Sequence, residues 1–540
     1  MLCGIQGAIT VPREGGTVNQ QPNAHLNANN REPFSITSGM PHAQEEALKK
    51  KTELVERLGV CPAPETEEYN FRAYDQSQIL SVQIRLSTFL EEDHPARVVD
   101  RVVERLDLKR LYEGYSDEGS PPYHPKMMLK VLFYGYYKGV MSCRKLWDAV
   151  EQRADFIFLA AGQIPNYRTI NSFRLRHLGI LPGLFAQIVM LCRTLGMVGF
   201  EHLAIDGQKI QANANYRKSK NLKQLEKEYE KVRQGMKKLL EKEVNQEFSQ
   251  GLKEKRLERL GKKAEKLEEL KKDLEALEDK EARLNMTDKE APVMRQKDGR
   301  SVPSYNHQTA SDELYGVACA IQSTQENDRP KDLLPLVDQA KANTGGEHKA
   351  VSGDCGFCSY EVLQTMEEKR GEEFYVPDRG FEASKEEENG KGKYSQDRFE
   401  REEDGGIRCP QGHEMKHTRT ETFEDGHQVD VWEGTGCEGC AQREKCTKAS
   451  KRRISVDSRE EYRDRMREKL LSEKGREIYM KRQGIAEPVH GDDQKNRGWR
   501  QHHLRGLLKA AGEFALIRIA TNLRKIVQYR SHEMLGLAMA

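Results

Sequence analysis

The chain has 540 residues, room for three or four domains at roughly 150 residues each, with 36% hydrophobic residues, 32% charged residues and a formal net charge of +2. So low an apolar share leaves the core to a subset of the chain, and no apolar run approaches the roughly 20 residues of a membrane span. The start is rich in Asn, Gln and Pro rather than apolar, and the 11 scattered cysteines do not form a disulfide framework, so the expectation is a cytoplasmic protein with no membrane partner.

The near-neutral total hides segregation. Residues 451–530 hold 21 Lys/Arg against 11 Asp/Glu, whereas 378–404 hold 10 Asp/Glu against 6 Lys/Arg. A basic C-terminal block either binds a polyanion or forms a solvated helix face.

Residues 1–75 carry no sustained periodicity and read as a disordered tail. Pro95 followed by Val98, Val99, Val102, Val103 and Leu106 predicts an amphipathic helix with Pro near its start. Pro125 opens a second over Met127–Tyr137, and Ser142 caps a third through Leu146, Ala149 and Val150. A short helix over 166–176 carries Arg168, Arg174 and Arg176. Together 76–197 reads as an all-helical domain, either a DNA-binding domain with a recognition helix or a packing domain without base contacts.

Strand character begins at His202–Asp206 and resumes at Lys209–Ala212, with Asp206-Gly207 as a hairpin signal. Residues 216–284 are a Lys/Glu-rich coiled-coil insertion. One seam runs Leu222, Leu225, Tyr229, Val232, Met236 and Leu239, a second Leu267, Leu270, Leu274, Leu277 and Leu284, with a turn near Gly251. Strand returns at Glu313–Thr324, at Ala350-Val351 before Gly353-Asp354, and at Phe374–Val376 after a helix over Ser359–Glu368. Residues 377–455 form a polar, Cys-bearing insertion, and 456–530 is helical and basic, with 531–540 a tail. The pattern predicts an α/β core, 198–376 plus 456–530, carrying two insertions.

Three acids stand out: Asp206 at the end of the first strand, Asp354 after a later one, and Glu487, which opens or interrupts a C-terminal helix beside Pro488. Carboxylates at strand ends on one sheet edge can hold Mg²⁺, and a pair of such ions clamps the attacking and leaving oxygens of a phosphodiester. Taken singly, Asp206 reads equally as a turn residue and Asp354 as a loop cap. Cys409, Cys437, Cys440 and Cys446 form a second group, either a structural Zn²⁺ site with His413 competing for the place of Cys409, or reduced thiols filling a small lobe. Cys355-Gly356-Phe357-Cys358 lacks the surroundings of a redox motif. Trp499 between Arg497 and Arg500 either stacks on an unpaired base or anchors the last helix.

These motifs in this order resemble insertion-sequence transposases of the DDE (Asp-Asp-Glu) class. The resemblance covers roughly 80–530 and is carried by Asp93–Arg97, Pro121–Lys130, Tyr167–Arg174, Ala204–Asn213, Gly353–Gly356, Glu487–Gly491 and Asn496–Trp499. It implies an RNase H-like mixed sheet, dependence on Mg²⁺ or Mn²⁺, cutting and joining of double-stranded DNA at element ends and target, and a homodimer on DNA. Asp206, Asp354 and Glu487 match the three acids, and Arg482, Lys495, Arg497 and Arg500 would contact phosphates. Gln494 replaces the usual lysine after the glutamate, with Lys495 one further on, and Asp492 and Asp493 add negative charge. The runner-up readings are a decayed or domesticated transposase that binds DNA without cutting it and, third, a zinc-dependent DNA-binding regulator.

Overall fold

The computed structural model describes residue 88 and residues 90–529, apart from 114, 116–120, 242–246, 277–282, 385–393, 395 and 403–404. The expected tails at 1–75 and 531–540, and Leu277, lie outside the described residues.

Helices α1 (Pro95–Arg105), α2 (Pro125–Tyr137), α3 (Cys143–Gln152), α4 (Ala154–Leu159), α5 (Tyr167–Arg176) and α6 (Leu181–Thr194) make up the N-terminal part. Proline opens α1 and α2, where its missing N–H costs nothing. His94 Nδ1 accepts from Ala96 N at 3.2 Å to cap α1, and Asn166 Oδ1 accepts from Arg168 N at 2.8 Å to cap α5. Val98, Val99, Val102 and Val103 turn one face of α1 into the core.

A mixed sheet follows. Its strands are β1 (His202–Gln211), β2 (Val293–Arg295), β3 (Ser301–Asp312), β4 (Ala318–Thr324), β5 (Ala350–Ser352) and β6 (Glu373–Tyr375). The order is β4-β3-β1-β5-β6, with β2 pairing the start of β3. β4, β3 and β1 are antiparallel neighbours, whereas β1, β5 and β6 are parallel.

Several expectations are corrected here. The chain does not turn at Asp206-Gly207: β1 is one strand, paired to β3 from Leu203↔Asp312 to Gln211↔Ser304. That partner strand is hidden in the sequence because both of its faces are buried and its middle is polar, Asn306-His307-Gln308-Thr309. β4 starts at Ala318, not Glu313, because Asp312 accepts from the backbone N–H of Gly199, Phe200 and Leu314 and fixes a turn there.

Between β1 and β2, helices α7 (Leu222–Glu241) and α8 (Glu247–Glu275) pack through Leu225, Val232, Leu267, Leu270 and Leu274. Gly251 lies within α8 and is not the turn. Helix α9 (Pro330–Thr344) connects β4 to β5, and α10 (Tyr360–Lys369), capped by Ser359, connects β5 to β6. A smaller sheet, β7 (Met415–Thr422), β8 (Gln428–Gly434) and β9 (Arg453–Asp457), forms a lobe with its own core of Phe399, Ile407, Met415 and Ile454.

The chain returns through α11 (Glu460–Leu471), α12 (Glu473–Gly491) and α13 (Leu507–Tyr529). α13 is buried along most of its length and packs on α2, α6 and β4, joining the helical region to the sheet. Glu487 neither opens nor breaks a helix: α12 runs through it and Pro488, which gives up the bond to Gly484 four residues back. A π-helical turn, Asp492–Asn496, follows. Among the described residues no single helix is long and apolar enough to cross a membrane.

Candidate active site

β1 and β5 pair only over His202–Ala204 with Ala350–Ser352, then part. Asp206 and Asp354 each stand two residues beyond the last pair, Ala204↔Ser352, so two parallel strands deliver two carboxylates at one level of the opening crevice. Ligands bind in such crevices at the carboxyl ends of strands.

α12 supplies the neighbours. Arg482 Nη1 lies 3.5 Å from Asp206 Oδ1, and His490 Nε2 lies 3.5 Å from Asp206 Oδ2. Eight residues apart, these two share a helix face. His490 Nδ1 donates to Gln208 Oε1 at 2.5 Å, since an amide oxygen only accepts. Burial holds the imidazole well below its usual range, with Arg518, Lys297 and Arg482 adding to the effect. A neutral His490 bonded in this way turns its Nε2 lone pair toward Asp206, so Asp206 gains no donor from it.

Both carboxylates are thus half-buried and short of partners. Burial, partly offset by Arg482 and Lys297, raises the Asp206 carboxyl, and Asp328 adds to the rise. Burial, then the charges of Asp328 and Asp206, push Asp354 up to about 6, although Gly356 N donates to its Oδ1 at 2.9 Å. Asp328 escaped the sequence reading. It precedes the Arg329-Pro330 start of α9, where an acid reads as an ordinary turn residue, and only the sheet order brings it here.

Glu487 does not join them. It lies five residues after Arg482, roughly 140° further around the helix. It is exposed and makes no hydrogen bond or ion pair among the described residues.

The expected DNA contacts divide. Arg168, Arg176, Lys495 and Arg500 are exposed, and Arg482 is half-buried over Asp206. Three others are corrected. Arg174 is buried, bonded to Tyr136 Oη at 3.2 Å, Met141 O at 3.3 Å and Asn171 Oδ1 at 2.8 Å. Arg497 is buried among Ile517 O, Asp493 and Thr521. Trp499 is 1% exposed, its ring against Phe514, His307 and His502. It anchors the last helix, so no base can reach it.

The two extra acids are also accounted for. Asp492 pairs with Arg497 at 3.1 Å and Arg524 at 2.5 Å, and Asp493 with Arg497 at 2.5 Å and Arg518 at 2.6 Å. Their charge is balanced by their own arginines.

In the small lobe Cys409, Cys437, Cys440 and Cys446 line one cavity together with His413. Arg452 N donates to Cys437 Sγ at 3.4 Å. Burial raises the Cys446 thiol, and Cys437, Cys409 and Cys440 add to the rise against Arg452. Cys355 and Cys358 are unbridged beside Asp354. Among the described residues no group of three or more His, Cys, Asp or Glu side chains is already placed to hold a metal ion.

Two family models match the chain, a Transposase DDE domain over residues 408–527 and a Transposase domain (DUF772) over residues 84–176. Both matches support an insertion-sequence DDE transposase. The first spans the cysteines, Arg482 and Glu487, the second the helical region up to Arg176, whereas Asp206, Asp328 and Asp354 lie outside both. No curated protein and no solved structure matches the chain. The transposase domains support a transposase function, and that family implies DNA as the substrate.

Proposed function

We propose that this transposase cuts and joins phosphodiester bonds at the ends of an insertion sequence. The observation that carries the reading is the placement of Asp206 and Asp354 side by side where β1 and β5 part, on a sheet of order β4-β3-β1-β5-β6. Three antiparallel strands followed by two parallel ones is the plan of an RNase H-like core, here 198–376 and 456–530. The helical region 76–197 is its DNA-binding part, with Arg168 and Arg176 on phosphates beside Lys495 and Arg500 of the core, and the acting form is a homodimer on DNA.

The donor set fits Mg²⁺ or Mn²⁺, because Asp206 and Asp354 offer oxygen alone and are half-buried without enough donors of their own. A divalent ion bound there supplies positive charge for the attacking and leaving oxygens of the phosphodiester. The chain's own residues do the rest. Arg482 partly offsets the rise of the Asp206 carboxyl and offers N–H groups to a phosphate. Gln208 fixes the ring of His490, and the Gly356 N–H orients Asp354. Glu487, on the helix that carries Arg482 but turned away from Asp206, is the acid that the family pattern adds to this pair. Water attack at the element end breaks the P–O3′ bond and frees a 3′-OH; that hydroxyl attacks a target phosphorus, and the target strand's own 3′ oxygen leaves as the strands join.

The cysteine lobe, 377–455, is read as a structural zinc module, since four thiols line one cavity in a lobe whose core is four side chains.

A plasmid carrying the element's ends tests the main reading. The full chain should nick it with Mg²⁺, and Asp206→Asn, Asp354→Asn and Glu487→Gln should each lower the rate by about 10²-fold or more while still binding the ends with a steep salt dependence. Wild-type cleavage by Asp354→Asn would overturn the assignment. Binding by the wild-type chain without any cleavage would favour the decayed alternative.

A further inference from the structure

A third carboxylate belongs to the crevice. Asp328 sits immediately before α9, and two glycines make room for it. A methyl group at Gly207, next to Asp206, would overlap both Asp328 carboxylate oxygens. A methyl group at Gly356 would stand 3.0 Å from Asp328 Cβ and 3.0 Å from Asp354 Oδ1, so a single atom would bridge the two acids. The absence of side chains at these two positions is what lets Asp328 close on both.

The surroundings of Asp328 are built from neutral groups. Asn306 Nδ2 and Gln308 Nε2 donate to its Oδ1 at 2.9 and 2.8 Å. An amide nitrogen donates and a carboxylate accepts, so these two bonds fix the position of the Asp328 carboxylate with neutral donors. Both amides are fully buried on β3, and their oxygens, Asn306 Oδ1 and Gln308 Oε1, have no hydrogen-bond partner. A buried acceptor left without a donor is destabilising, and two of them stand on the residues that hold this carboxylate. Gln208 Nε2, buried in the adjacent strand, is likewise without a partner. Three carboxylates beside such oxygens, with Arg482 3.5 Å from Asp206, form a setting for a hard, hydrated cation.

We propose that Asp328 is a further carboxylate of the ion-holding group, acting with Asp206 and Asp354 on Mg²⁺ or Mn²⁺. The inference rests on the reading of this crevice as the metal-dependent site. Asn306 and Gln308 are then positioning residues that aim Asp328. Asp328 gives the crevice a third acid from the core itself, with no demand on Glu487 in the absence of DNA.

The test is Mn²⁺ binding to the full chain without DNA, followed by the electron paramagnetic resonance of free Mn²⁺ and by the rise in melting temperature that Mn²⁺ produces. Asp328→Asn should weaken Mn²⁺ by about tenfold or more and shrink that rise. Gly207→Ala should do the same, because its methyl displaces the carboxylate while leaving Asp328 in the chain. Asp354→Asn serves as the comparison. If Asp328 only ties down the β3 amides, Asp328→Asn melts lower but keeps the wild-type affinity and rise, and the inference falls. If it keeps them while Asp354→Asn loses them, the inference alone falls and the proposed function stands. If Asp206→Asn, Asp354→Asn and Asp328→Asn all bind Mn²⁺ as the wild-type chain does, the proposed function falls as well.

Discussion

Arg518 grips Asp493 with both arms, Nη1 to Oδ1 at 3.0 Å and Nη2 to Oδ2 at 2.6 Å, in a pair from which solvent is fully excluded. Arg518 also reaches Thr309 Oγ1 on β3 at 3.0 Å, so the π-helical turn after α12 is tied through α13 to the central sheet. The turn sets where α12 ends, and α12 carries Arg482 and His490 over Asp206. An acid that looks like a disturbance in the sequence just after Glu487–Gly491 thereby helps to fix the site's geometry.

Removing one partner of such a pair strands the other charge. Asp493→Ala should destabilise the fold by about 3–5 kcal/mol, measured by urea unfolding. A change below about 1 kcal/mol would mean that Arg497 and Arg518 find other partners, and the proposed tie between α12 and α13 would fail.

Trp499 gives a second prediction. Its ring is buried against Phe514, His307 and His502, and its Nε1 has no partner. Trp499→Ala should lower stability by about 3–5 kcal/mol, whereas Trp499→Phe keeps the packing, loses only an unsatisfied N–H and should bind element ends as the wild-type chain does. A large loss of DNA affinity in a stable Trp499→Phe protein would restore the base-stacking role.

These two residues show what the sequence could carry. The helices with proline or Asn/Ser starts, β5 and the apolar first half of β1 are legible because local rules decide them, whereas the polar second half of β1 reads as a hairpin and is not one. β3 is not legible, since a polar central strand with both faces buried has no alternation to read. Asp206 and Asp354 were found through motifs, but Asp328 needed the sheet order, because nothing in Asn327-Asp328-Arg329 differs from a turn. Arg174 and Arg497 were misjudged for the opposite reason: an arginine on a helix looks solvent-facing until buried oxygens turn out to receive it.

The acidic crevice makes a pH prediction. Asp354 has its carboxyl raised from 3.8 to about 6, chiefly by burial and then by Asp328 and Asp206. A raised carboxyl means that the folded chain holds a proton the unfolded chain has released. Its contribution is therefore fully present below the unfolded value near 3.8 and is lost as pH climbs through about 6. With divalent ions removed, Asp354→Asn should melt above the wild-type chain at pH 7, by on the order of 2 kcal/mol, and the gap should narrow toward pH 4. Added Mn²⁺ should raise the wild-type melt at pH 7 and leave Asp354→Asn unmoved. An unchanged gap from pH 4 to pH 7 would remove the electrostatic account of this site.

The small lobe supplies the last prediction. Its core is Phe399, Ile407, Met415 and Ile454, too little apolar surface to hold a three-stranded sheet firmly. Four thiols line one cavity beside this core, Cys437 and Cys440 from the two ends of one turn, and the N–H of Arg452 already points at Cys437 Sγ. The full chain should therefore carry one zinc per molecule by elemental analysis of protein purified without chelator. Because thiolate–zinc binding is folding free energy, Cys440→Ser should lose the metal and speed amide exchange across β7, β8 and β9. The crevice at Asp206 lies in the other sheet, so its Mn²⁺ affinity should stay unchanged. His413→Asn should keep the zinc if the four cysteines are the ligands and lose it if the imidazole replaces Cys409. Pure protein without zinc, all four thiols reacting freely and the lobe still protected from exchange, would make the cysteines ordinary packing residues.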